Sequence, residues 1–149
     1  MAEPATSSIK TPWHLWLVGV ISLLWNLVGG MDFTLTQAGS AAYLGAMTPT
    51  QLEYFHRLPV WVVVAWGIAT WGGVVGSLAL LFRKCLAVPV FLASLIGIVL
   101  LNLHTYFLSN GLEVQGGGAG VVVFSAVIFV IGILLWLYAG AMRRRGVLR

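Results

Sequence analysis

The chain has 149 residues, of which 60% are hydrophobic and 8% charged, and carries a net charge of +4. Soluble domains hold about 25% charged residues, so an ordinary water-soluble globule is excluded. The positive charge does not point to nucleic acid, because it sits at chain ends and in one loop rather than along a binding face.

Residues 12–30, 59–82, 86–108 and 120–142 contain no Asp, Glu, Lys or Arg. Each is near the ~20 residues a helix needs to cross a ~30 Å hydrocarbon layer. An open sheet would leave backbone groups unpaired in lipid, and these stretches lack the alternation of barrel strands. The expected fold is an all-α membrane protein, a four-transmembrane-helix bundle forming a single domain over residues 1–149.

Residues 1–11 are polar and small and are expected to form a short mobile arm. Trp13 and Trp16 follow, where an interfacial aromatic belt belongs. In the first crossing Gly19, Ser22, Asn26 and Gly29 recur at helical spacing, which puts them on one close-packing face. The stretch is longer than the usual 7–15-residue signal core, so it is expected to stay in the protein. Residues 31–47 are less apolar and are expected to extend that helix and then loop.

Thr48-Pro49-Thr50-Gln51 supplies a cap, a proline at the first helical position and a glutamine three after the cap, a helix-start signature. The helix it opens, about residues 49–57, is short because Pro59 closes it, and is expected to lie on the membrane surface. Glu53 and Arg57 are spaced as i, i+4 partners on it.

The second crossing carries a small-residue stripe of Ala65, Ala69, Gly72, Gly76 and Ala79. Its Trp61, Trp66 and Trp71 are expected to face lipid or fill gaps. In the third crossing Ser94 and Gly97 share a face with His104, while Asn102 lies on an adjacent one. Gly116-Gly117-Gly118 is a flexible loop without a phosphate-loop sequence after it. The fourth crossing repeats Ser125, Gly132 and Ala139 every seven residues, a further packing stripe. Leu24-Trp25-Asn26-Leu27 faintly echoes Leu100-Leu101-Asn102-Leu103, as two parallel hairpins would.

Lys10, Arg83, Lys84, Arg143, Arg144, Arg145 and Arg149 flank the crossings on one side, whereas Asp32, Glu53, Arg57 and Glu113 flank the other. The positive-inside rule places both termini in the cytoplasm. The single cysteine, Cys85, rules out a disulfide framework within the chain.

The polar side chains cluster towards the other side. Asn26, Asp32, His56, Asn102 and His104 are the candidate ligand-binding residues of an outward-facing polar cavity. The competing reading is that Asn26 and Asn102 only pair helices. His56, His104 and Asp32 have acceptable metal-ligand types, but no spacing ties them together, so neither metal nor cofactor is expected. No nucleophile–base pair, paired acids or HExxH points to catalysis. No charged residue or histidine lies deep in a crossing, as ion-coupled carriers require.

Trp25-Asn26 with Gly29-Gly30 and Asp32, then Leu58-Pro59-Val60-Trp61, then Trp71-Gly72-Gly73 with Gly76 form a set. It resembles a group of small bacterial four-helix inner-membrane proteins loosely labelled as sugar transporters. The resemblance covers residues 13–108 and implies a bacterial inner-membrane protein, with no binding residues carried over. The expected function is that of a non-enzymatic accessory or assembly subunit. It would sit in the lipid bilayer and pack against another membrane protein or a second copy in a homo-oligomer. The alternative is a small-solute transporter or binding protein, sugars included.

Overall fold

A computed structural model describes residues 9–149; residues 1–8, most of the expected N-terminal arm, lie outside the described residues. Pro12 and Pro59, both in extended backbone, precede α1 (Trp13–Gln37) and α4 (Val60–Leu81). A proline suits a helix start, because the missing N–H would have no intrahelical partner there. α1 runs past the apolar stretch and is about 37 Å long by helical rise. Between α1 and α4 lie α2 (Ala41–Leu44) and α3 (Pro49–His56).

The cap on α3 is complete. The Gln51 N–H donates to Thr48 Oγ1 at 3.2 Å, and the Thr48 N–H donates to Gln51 Oε1 at 3.0 Å. Arg57 and Glu53 pair at 2.7 Å with both side chains largely exposed, so the pair adds little.

α5 (Ala87–Leu103) does not run as a regular helix to residue 108. It widens into a π turn over His104–Leu108. Two pieces follow, α6 (Gly111–Val114) and α7 (Ala119–Arg144). No strand occurs among the described residues. Four helices are long and apolar enough to cross a membrane: Trp13–Gln37, Val60–Leu81, Ala87–Leu108 and Ala119–Arg144.

α4 is the hub and packs on both α1 and α5, while α7 packs on α5. Two faces of α4 carry small residues. On the first, a Cβ added at Gly72 would meet the Ser94 Cβ at 3.2 Å, and one at Gly76 the Phe91 ring at 2.8 Å. From the opposing helix, a Cβ at Gly97 would come within 2.6 Å of the Ala65 carbonyl oxygen. The Ser94 hydroxyl donates to the Ala69 carbonyl at 2.6 Å. Backbones this close explain why the interface needs glycine.

The second face meets α1. A Cβ at Gly73 would overlap the Asn26 carboxamide, one at Gly19 would overlap the Leu81 side chain, and one at Gly29 would sit 3.3 Å from Thr70 Cγ2. Ser22 is buried in the same seam. On α7, Gly132 faces Leu95 and Ile98, each 3.2 Å from where its Cβ would be, and Ala139 is buried. The small-residue stripes of α1, α4 and α7 thus face other helices of the same chain. Trp66 is also buried, edge-on to Phe33 and stacked on Phe55.

At one end the chain ties itself together. Arg83, with φ of 55°, donates from Nη1 to Thr11 Oγ1 at 2.9 Å. The Arg149 N–H donates to the Arg83 carbonyl at 2.7 Å, and the Cys85 N–H to the Arg149 carbonyl at 3.0 Å. This strap buries Val147 and Leu148 with Leu15, Leu80, Phe91 and Met142. His14 Nδ1 and the Tyr138 hydroxyl are 2.5 Å apart and join α1 to α7 there. Asp32, Glu53 and Glu113 belong to the opposite end.

Candidate functional site

The five candidate residues do not form one site. Asn26 lies within the α1–α4 seam. Its Nδ2 donates to the Ser22 carbonyl at 2.8 Å and lies 3.4 Å from Ser77 Oγ. Gly73 leaves room for it, and Ser77 is fully buried with its own hydroxyl donating to the Gly73 carbonyl at 2.7 Å. This is the geometry of a helix-pairing amide.

Asp32, on the last turns of α1, accepts a hydrogen bond from the Tyr43 hydroxyl. That bond, then burial and the nearby carboxylate charge, pushes the Tyr43 pKa up to about 12. The contact folds the loop carrying α2 back onto α1.

His104 is the buried member, at 6% exposure. It is the first residue of the π turn, where one extra residue per turn re-aims side chains. Its Nδ1 lies 3.4 Å from both the Tyr54 hydroxyl and Ser109 Oγ, which are 3.1 Å from each other. The Trp61 ring stands edge-on at 5.7 Å. A side chain at Gly111 would collide with Tyr54. The Ser109 hydroxyl donates to the His104 carbonyl at 2.8 Å and accepts from the Gly111 N–H at 3.2 Å. The backbone carbonyl is the nearer acceptor for this hydroxyl, with the imidazole at 3.4 Å. The cluster's geometry is that of a latch: Tyr54 of α3 plugs into the end of α5.

His56 is exposed on α3 and takes no part in the hydrogen bonds of this cluster. Asn102 is half-buried on α5, two residues before the π segment. No group of three or more His, Cys, Asp or Glu side chains comes together among the described residues.

A surface cavity of about 380 Å³ opens at this end, lined by Met47, Gln51, Phe55, Gln115, Gly120, Val121 and Phe124. None of the five candidates lines it. Its two aromatic rings and two carboxamides come from three separate segments, so no spacing in the sequence marks it. Tyr54, Trp61 and Ser109, which surround His104, were equally invisible as a set. Only the shared side of the membrane hinted at them.

No protein-family model, curated protein or solved structure gives a significant match to the chain. None of these comparisons bears on the resemblance to small bacterial four-helix proteins.

Proposed function

We propose that the chain is a non-enzymatic subunit of the bacterial inner membrane, with both termini in the cytoplasm, which uses α7 to dock on another membrane protein. The observation that carries this reading is an uncovered stripe on α7. Val123, Val127, Val130, Leu134 and Leu137 recur at four, three, four and three, and all are 42–60% exposed. That spacing is a coiled-coil seam with branched aliphatic knobs. It lies apart from the Ser125–Gly132–Ala139 stripe that packs on α5. Asn26 of α1, Ser77 of α4 and Ser94 of α5, by contrast, are engaged between helices. The basic residues gathered at one end support the orientation.

Purification in mild detergent from native membranes tests this, with co-purifying proteins identified by mass spectrometry. The reading expects one integral membrane partner in fixed stoichiometry. A strictly monomeric protein with no neighbour would contradict it.

A second reading, small-solute binding, is favoured by the 380 Å³ cavity, because aromatic rings with carboxamides suit sugars and similar polar solutes. Phe55 of its wall stacks on Trp66 with ring centroids 5.5 Å apart, so tryptophan emission should report occupancy. Sugar titrations that leave the emission unchanged would contradict this reading.

A further inference from the structure

At the basic end a second cavity, of about 250 Å³, lies between the start of α5 and the last turns of α7. Val88, Trp136 and Leu137 form its apolar wall, and Arg143 and Arg144 its rim, around the bare backbone of Gly140. The Arg144 side chain folds back along the helix, with its Nη1 3.5 Å from where a Gly140 Cβ would be. Neither arginine has a carboxylate partner among the described residues. Among the described residues the acids are Asp32, Glu53 and Glu113, all at the opposite end, and the one ion pair is Arg57–Glu53.

We propose that this cavity binds an anionic phospholipid, with its phosphodiester held by Arg143 and Arg144 and an acyl chain lying along Val88, Trp136 and Leu137. The proposal rests on the membrane reading but not on the docking role of α7, whose stripe meets this cavity only at its last residue, Leu137. Charge complementarity selects the occupant. Two guanidinium groups without a carboxylate partner among the described residues match a phosphate oxygen pair in fork geometry. The apolar wall continues from the rim towards the hydrocarbon side through Leu137, which is 52% exposed, so a free anion would leave half of the site unmatched. The volume is below the roughly 300–1,000 Å³ of sites that enclose a whole small molecule. It suits a headgroup whose chains stay in the bilayer. Basic pockets between transmembrane helices hold anionic headgroups in this way.

The full chain is placed in phosphatidylcholine vesicles and titrated with chain-brominated phosphatidylglycerol or chain-brominated phosphatidylcholine. Trp136 emission, taken as the difference from the Trp136→Phe variant, is the readout. The proposal expects half-quenching at a mole fraction of the anionic lipid at least fivefold lower than of the zwitterionic one. Arg143→Gln and Arg144→Gln should each weaken the anionic lipid by about fivefold. Gly140→Leu should remove the preference by filling the cavity while both arginines remain. Equal quenching by the two lipids, or an unchanged preference in the double arginine variant, would overturn it. Displacement of the lipid by inorganic phosphate would show a free-anion site and would also overturn it. Flotation of the chain with the vesicles is scored separately: a chain that stays in the aqueous layer overturns the membrane reading and this proposal together.

Discussion

α4 and α7 are both single uninterrupted helices, of 22 and 26 residues, yet they lead opposite lives. In its most apolar stretch α7 has the higher mean hydropathy, 2.8 against 1.7, but 6% of that stretch is buried against 50% for α4. In water the more apolar helix would be the buried one. In lipid there is no such drive, because the solvent is as apolar as leucine, and burial follows close packing instead. α4 holds Gly72 and Gly76 towards α5 and Gly73 towards α1. α7 turns one small-residue stripe inward and leaves a stripe of Val and Leu uncovered.

The comparison breaks most sharply at Gly97. A valine there would drive its Cβ into the Ala65 carbonyl and the Ala69 backbone, which are rigid. Gly97→Val should cost about 3 kcal/mol or more, read as a fall in the unfolding midpoint in a detergent titration. Val130→Leu on the exposed side of α7 should change the same midpoint by less than about 0.5 kcal/mol. Equal effects would erase the distinction between hub and periphery.

Asn26→Leu comes next. It removes the donation to Ser22 and the contact with Ser77, and should lower stability by about 1 kcal/mol without loss of the bundle. Tyr54→Phe should cost less, about 0.6 kcal/mol. Its clearer effect should be faster amide exchange in α3, because the latch to His104 and Ser109 loses its hydroxyl. Unchanged exchange in α3 would mean that apolar contacts alone hold that helix.

The smallest effect concerns Tyr43. Its folded pKa of about 12 lies above the unfolded value of 10.0. The neutral, hydrogen-bonded tyrosine therefore contributes stability below pH 10, and that contribution is lost as the pH rises through about 12. Absorbance at 295 nm, taken as the difference from Tyr43→Phe, should show the high midpoint. Asp32→Asn should move it back towards 10, because the carboxylate is the main cause of the shift.

Chain-level features were legible because local chemistry sets them. Charge-free runs marked the four long helices, and Thr48-Pro49-Thr50-Gln51 marked the start of α3. The Glu53–Arg57 pair followed from spacing alone. What one helix presents to another was only half legible. One small stripe on α4 could be read, but Gly73 and Ser77 form a second face that shows only when α1 lies against it. Trp66 was open to facing lipid or filling a gap, and only Phe33 and Phe55, from segments distant along the chain, show that it fills one. His104 stood out as a polar residue near a boundary. Its partner Tyr54 is 50 residues away, and nothing in the spacing of residues 104–108 announces a π turn. The cavities were not legible, since each is assembled from separate segments.

The central claim is that α7 docks through its uncovered stripe. The direct test is cysteine scanning of residues 121–137 in a Cys85→Ser background, with a thiol-attached photoactivatable cross-linker that inserts into C–H bonds, used in native membranes because amines are scarce in the hydrocarbon core. The account predicts protein adducts at positions 123, 127, 130, 134 and 137, and none at the inward positions 125 and 132. Adducts with no helical period, or none at any position while the protein stays in the membrane, would mean that lipid covers α7, and would contradict it.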